Sequence, residues 1–168
     1  MMRFTFALLV AALATPSLGY GQAVPVTKAA VVVDDFSHVA DTALETMRAK
    51  AQALGIGGVA VVAYFEGETI RSWSSKMIVV GRYKDDPTAT DKGSNLLGIA
   101  YAKAAEMADT LKDSGSKVRP PMTGEFGWNG GVIVRVKTGY WIAAFSGGKS
   151  EDDVAVSREG LRVLNSGH

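Results

Sequence analysis

Two pairs of strand-like segments, each joined by a short polar turn, most constrain what this chain can fold into. Residues 58–65 are rich in β-branched and aromatic side chains, and a Glu-Gly-Glu turn leads from them to residues 69–75. Residues 77–80 extend that second strand or start another. Residues 131–136 and 140–146 show the same pattern around a Lys-Thr-Gly turn. Both pairs are typical of β-hairpins.

Three segments with helical spacing of apolar residues alternate with these hairpins. The first covers residues 37–54, the second begins at Asn95 and is rich in alanine, and the third begins at Ser150. Ser150 is a suitable N-cap, and the acidic residues that follow it favour the positive start of a helix. The order helix, hairpin, helix, hairpin, helix predicts an α+β fold with a single antiparallel sheet flanked by helices.

Three further stretches carry weaker signals. Residues 28–33 (KAAVVV) form a short apolar run that predicts an edge strand, and residues 81–87 have the composition of a loop. Residues 112–128 contain three glycines and two prolines before the second hairpin, without periodicity. A loop of this length inside a compact domain is often functional.

The amino-terminal residues are typical of a secretory signal. A basic residue at position 3 precedes an apolar run over residues 4–14, and small residues follow Pro16. We expect residues 1–21 to be a signal peptide cleaved after Gly21 or Ala23, followed by an extension over residues 22–36 and a domain over 37–168. An eleven-residue run is too short for the roughly 20 residues of a membrane-spanning helix, so we expect a periplasmic or secreted protein without a stable span after cleavage.

Composition excludes several classes of protein. The 168 residues are 47% hydrophobic with a net charge of +1, unlike a disordered chain or a nucleic-acid-binding protein, and no cysteine is present for disulfides or thiolate metal sites. Loss of Arg3 with the signal leaves 17 of the 18 basic residues against 17 acidic ones. A neutral mature chain does not resist self-association, which is compatible with a homo-oligomer.

Residues that point to catalysis are few. The two histidines, His38 and His168, stand far apart in the sequence and do not have metal-ligand spacing. No acid-base pair and no nucleophile motif is evident. The sequence therefore predicts no catalytic residue, and it favours a binding protein over an enzyme without deciding between them.

Glycine-containing turns flank the second hairpin and suggest a place for a ligand. Gly130 and Gly131 precede one strand, and Ser146 and Gly147 end the next, just before the last helix. Glycine lets backbone amides approach a ligand closely, and the helix would direct its positive end to the same place, which suits an anionic group. The alternative is that the glycines serve turns that require a positive φ.

The sequence also offers aromatic and thioether side chains that we expect near those turns. Trp128, Met122 and Tyr83 belong to this set and would suit a flat apolar ligand. They would equally suit a sheet core or a subunit interface, and both interpretations remain open.

The motifs of the second half together resemble the GlcG and HbpS family of small haem-binding domains. The resemblance covers about residues 37–164 and rests on the Lys-Ala pair in the alanine-rich helix, the double-glycine strand entry, the Ser-Gly turn and the acidic start of the last helix: Lys103, Ala104, Gly130, Gly131, Ser146, Gly147 and Asp153. It implies a profilin-like α-β-α arrangement and an exported protein that binds a small ligand, haem or a related tetrapyrrole.

The resemblance also implies a set of ligand-binding residues. Arg82 and Arg119 would face propionate groups from the two long loops, while Lys103 would lie deeper. The full expected set is Arg82, Tyr83, Lys103, Arg119, Met122, Trp128, Gly130, Gly131, Ser146 and Gly147, with His38, Tyr83 and Met122 as candidate axial ligands of iron. Two alternatives remain: an oligomeric extracytoplasmic interaction or sensor-partner module without haem, and an enzyme of haem degradation.

Overall fold

The computed structural model of the protein describes residues 28–166. The predicted signal peptide, its cleavage sites and residues 22–27 of the predicted extension lie outside these residues. The elements are, in chain order, α1 (Lys28–Ala53), β1 (Gly58–Glu66), β2 (Ser74–Val80), β3 (Lys84–Asp85), β4 (Ser94–Asn95), α2 (Leu96–Thr110), β5 (Gly131–Arg135), β6 (Gly139–Ser146) and α3 (Ser150–Ser166).

Four strands form one antiparallel sheet in the order β2-β1-β6-β5. Alternate residues of β1 point to opposite faces: Val62 belongs to the cluster packed under α1 and α3, whereas Ala63 belongs to the cluster under α2. The sheet is thus a layer between two helices on one side and one on the other. This arrangement confirms the predicted α+β fold with an antiparallel sheet flanked by helices, and the two-residue strands β3 and β4 form a small second sheet in addition.

The two central strands explain the composition of the hairpins. All of β6 and all of β1 except its last residue are buried, because helices cover both faces of the sheet. Strands buried on both faces have continuous apolar sequences rather than alternating ones. The alanine face of α2 allows that helix to lie close to β1 and β6, where Ala104 and Ala108 are buried.

The amino-terminal half departs from the sequence-based prediction in two places. Residues 28–33 are not an edge strand but the first turns of α1. Alanine has the highest helix propensity, and each residue added to an existing helix gains a hydrogen bond without a new nucleation cost, which outweighs the strand preference of three valines.

The second strand of the first hairpin also lies further along the chain than predicted. The connection spans residues 67–73, and pairing with β1 begins where Tyr64 faces Ser74. Ile70 has strand propensity but is 50% exposed, because the chain leaves the sheet there. Strand propensity reflects packing on a half-buried surface and has no effect where that surface is absent.

The segment predicted as a loop over residues 81–87 contains a short strand. Lys84 pairs with Asn95 and Asp85 with Ser94, which makes a two-stranded sheet of β3 and β4 at the start of α2. Asn95 is the N-cap of α2, and its side chain accepts a hydrogen bond from the Gly98 amide at 2.9 Å. None of the helices among residues 28–166 is both long and apolar enough to cross a membrane.

Candidate functional site

A polar cleft of about 190 Å³ opens where β6 ends, between the amino-terminal halves of α2 and α3. Its floor is the Lys103 ammonium, which donates to Asp153 Oδ2 and to the Phe145 carbonyl oxygen, each at 2.8 Å. Lys103 is only 3% exposed, and these bonds use two of its three N–H groups. The cleft is lined by Asp85, Ser94, Leu96, Ile99, Lys103, Trp128, Asn129, Ser146, Gly147, Gly148, Ser150 and Asp153.

The glycine turn after β6 is already occupied by a carboxylate of the chain itself. Asp153 reaches back from the first turn of α3, and its Oδ1 accepts a hydrogen bond from the Gly148 amide at 2.8 Å. The Gly147 amide also acts on this carboxylate. The geometry predicted to suit an anion is therefore present, and within the described structure Asp153 is the anion that fills it.

Gly130 allows the ion pair to approach the backbone. A Cβ built on Gly130 would lie 2.9 Å from Asp153 Cβ, and closer still to Lys103 Nζ. The φ of +135° at this position is also one that residues with side chains rarely adopt. Its carbonyl oxygen accepts a hydrogen bond at 2.7 Å from the hydroxyl of Ser157, which is fully buried.

Gly131 faces away from the cleft toward α2. Its amide donates to Ser114 Oγ at 2.8 Å, and a Cβ there would meet the Met107 side chain. Of the two glycines predicted to contact a ligand, Gly130 thus adjoins the cleft floor and Gly131 is a packing residue.

Burial acts on both partners of the ion pair. Removal from water lowers the pKa of the Lys103 ammonium, and the attraction of Asp153 opposes that decrease. Burial likewise raises the pKa of the Asp153 carboxyl group, while Lys103 and the glycine amides oppose that increase. A buried lysine and carboxyl group with pKa values shifted toward each other can exchange a proton, and such pairs concentrate at functional sites.

Arg82 lies behind the cleft and serves the fold. Its guanidinium donates to the carbonyl oxygens of Gly57 at 3.0 Å and Gly147 at 2.8 Å, and it pairs with Asp85 at 3.1 Å. It therefore ties β3 to the turn after β6, and the predicted contact with a propionate would require it to leave these partners.

An apolar depression of about 370 Å³ adjoins the polar cleft. The rings of Phe126 and Trp128 form one wall, with centroids 4.8 Å apart, and Trp128 is 50% exposed. Ser94, Ile99 and Trp128 line both the depression and the cleft. A polar site and an aromatic surface are thus continuous around Trp128.

The loop that carries these rings is fastened to α2 by Arg119. Its guanidinium donates to both carboxylate oxygens of Glu125, at 2.6 and 2.8 Å, and to Asp109 on α2 at 2.6 Å. The bonds from Arg119 lower the pKa of Glu125 to about 2. Glu125 also accepts from the backbone amide of Met122, whose side chain is exposed. Arg119 positions the loop and is engaged within it.

The candidate axial ligands do not converge. His38 is exposed on α1, on the opposite face of the sheet from α2. Tyr83 lines a groove with Lys84 and Lys92, and this groove shares Asp85 and Ser94 with the polar cleft. Within the part of the chain that the structure describes, no three His, Asp or Glu residues are grouped as a metal site.

Comparison with known proteins shows a distant structural likeness. Neither a protein-family model nor a curated protein matches the chain. A crystal structure of a double mutant of HbpS from Streptomyces reticuli is 17% identical, covers 93% of this chain and 98% of that chain, and superposes with a TM-score of 0.43. A likeness at this level assigns neither a family nor a ligand to the chain.

Several residues of the cleft are absent from the sequence-based set. The sequence places Asp153 at a helix start, whereas in the structure its carboxylate is the partner of Lys103. Ser94 comes to the cleft through the β3–β4 pairing, and Asn129 through the end of the loop before β5. The signal that points to Asp153 is its place three residues after Ser150, from where a carboxylate can reach the preceding amides.

Proposed function

We propose that the protein binds a flat, amphipathic, acidic ligand across the polar cleft and the aromatic depression, and that this ligand is haem or a related tetrapyrrole. The continuity of the two sites at Ser94, Ile99 and Trp128 is the observation that carries the proposal. An apolar ring system would cover Phe126 and Trp128, and an acidic group would accept a hydrogen bond from the remaining N–H of Lys103.

The sizes of the two sites support this division of the ligand. Sites for drug-sized molecules have volumes of about 300–1,000 Å³, a range that includes the aromatic depression and excludes the polar cleft alone. A macrocycle would therefore lie over the depression and extend only a carboxylate side chain into the cleft. The resemblance of the sequence to the GlcG and HbpS family is compatible with such a ligand.

The residues fit the macrocycle better than they fit its iron. Aromatic rings and a buried ammonium suit a porphyrin face and a carboxylate, but no described residue lining the cleft or the depression is a histidine, tyrosine or methionine. Tyr83 lies in the adjoining groove. We accordingly expect porphyrin recognition to be independent of the metal, and metal-free protoporphyrin IX to bind as well as haemin.

Titration of the mature protein with haemin tests the proposal. A shift of the Soret band is expected, and Trp128→Ala should weaken binding more than about tenfold, because it removes an aromatic contact of roughly 0.5–1.5 kcal/mol together with the apolar area that the ligand would cover. Trp73→Ala is the matched control, since Trp73 has similar exposure but stacks on Phe65 at the hairpin between β1 and β2. Absence of a Soret shift at micromolar haemin would refute tetrapyrrole binding.

Export and self-assembly belong to the same proposal. We expect the mature protein to be periplasmic or secreted, with an amino terminus generated by cleavage after Gly21 or Ala23, which mass spectrometry of the exported protein would reveal. Gel filtration measures the size of the assembly and so tests for a homo-oligomer. An assembly that forms without haemin and is broken by Trp128→Ala would favour the interaction module, because the exposed aromatic rings would then be an interface.

A further inference from the structure

Lys103 has the surroundings of an amine that reacts with carbonyl compounds. Its Nζ lies at the floor of the polar cleft, 2.8 Å from the Asp153 carboxylate, and one of its three N–H bonds has no acceptor within the described structure. Burial shifts its equilibrium toward the unprotonated amine, which is the nucleophilic form. Tetrapyrrole binding alone uses none of this chemistry.

We propose that Lys103 captures a small hydroxylated aldehyde or ketone as an iminium in the polar cleft, with Asp153 as the group that moves the protons. This activity goes beyond the proposed tetrapyrrole binding and does not depend on it. Lys103 is the residue that forms the covalent bond, and Asp153 is its acid-base partner.

Iminium formation needs only the two side chains and the carbonyl compound, and it releases one water molecule. The ammonium of Lys103 first gives a proton to Asp153, and the free amine then attacks the carbonyl carbon, forming the C–N bond while the carbonyl π bond breaks. The carbonyl oxygen takes up the second proton released by nitrogen. The protonated Asp153 delivers its own proton to the resulting hydroxyl group, which leaves as water, and the C=N bond forms. The product is an iminium cation paired with the Asp153 carboxylate.

The volume and lining of the cleft indicate the class of substrate. A space of about 190 Å³ takes a molecule of a few carbon atoms. Ser94, Asn129 and Ser150 lie around it and supply hydroxyl and amide groups that hydrogen-bond to hydroxyl groups. A short hydroxy-aldehyde or hydroxy-ketone matches this lining, whereas an alkyl aldehyde would leave the polar groups unpaired.

Reductive trapping tests the proposal on the full mature protein. The protein is incubated with glyceraldehyde and sodium cyanoborohydride, without haemin, and modified lysines are located by peptide mass spectrometry. Lys103 should be labelled ahead of the exposed lysines. Lys137→Arg, which removes an exposed lysine from the β5–β6 turn, should leave labelling of Lys103 unchanged, and Asp153→Asn should slow it.

The result that overturns the proposal needs no variant. If the wild-type protein carries label on exposed lysines while Lys103 stays unmodified, Lys103 is not the reactive amine. Unchanged labelling of Lys103 in Asp153→Asn would refute the role of the carboxylate. Because no tetrapyrrole is present, failure of this experiment leaves the haemin titration unaffected, and failure of the haemin titration leaves the trapping result standing.

Discussion

Replacing Gly130 by alanine tests whether the cleft floor depends on a backbone without a side chain. The added Cβ would lie 2.9 Å from Asp153 Cβ and 3.0 Å from Lys103 Cε, with Lys103 Nζ closer still. Flexible side chains usually yield to such a contact. Here Nζ is held at 2.8 Å by both Asp153 and the Phe145 carbonyl, so movement must weaken a buried ion pair.

The expected loss of stability has two parts. A side chain at the φ of +135° costs about 1–3 kcal/mol in backbone strain, and overpacking against the ion pair costs typically another 1–3 kcal/mol. Gly124→Ala is the matched control: its φ is +95°, but a Cβ there meets nothing within 4 Å. Gly130→Ala should therefore be less stable than Gly124→Ala by about 1–3 kcal/mol, the overpacking part alone.

Equilibrium denaturation with urea, followed by tryptophan fluorescence and circular dichroism, measures both free energies of unfolding. A third measurement places Gly130→Ala in a Lys103→Ala background, where most of the crowding is removed and the cost should approach that of Gly124→Ala. Equal losses for the two glycine variants in the wild-type background would refute the close packing of Lys103 on Gly130.

Two other predictions concern charges. Lys103→Met should cost about 3–5 kcal/mol because it leaves the Asp153 carboxylate buried without its cation, and addition of Asp153→Leu should recover much of that loss, which denaturation of both variants checks. The pKa of Glu125 lies at about 2, below its ordinary value of 4.5, so its pairing with Arg119 stabilises the fold above pH 4.5 and the contribution disappears as the pH falls toward 2. Glu125→Gln should accordingly be less stable than wild type at pH 7, with a difference that shrinks in acid; a difference independent of pH would contradict this.

The second half of the fold follows closely from local sequence signals. The predicted hairpin over residues 131–146 corresponds to β5 and β6, and the helix predicted from Ser150 begins there. Both rest on strong cues, since the strands are β-branched and aromatic and Ser150 is followed by three acidic residues. The helix beginning at Asn95 likewise has an explicit cap.

The remainder depends on contacts that no local pattern encodes. The two-residue strands β3 and β4 pair Asp85 with Ser94 across a loop, and neither segment alone has the length or composition of a strand. The same limit applies to the site. Lys103 and Asp153 are fifty positions apart in the sequence. They meet because α2 and α3, on opposite faces of the sheet, both lie beside the end of β6.

The placement of Asp153 changes how a ligand can gain affinity. The amide groups predicted to receive an anionic ligand already bind the carboxylate of Asp153, so the charged donor left in the cleft for a ligand acid is the remaining N–H of Lys103. One hydrogen bond to a charged group contributes about 1.5–3 kcal/mol at most, whereas covering 200 Å² of apolar surface contributes about 5 kcal/mol. Affinity for a tetrapyrrole must then come mainly from Phe126 and Trp128. Esterification of the porphyrin carboxylates should therefore weaken binding less than removal of both rings does, and the opposite order would show that charge recognition dominates.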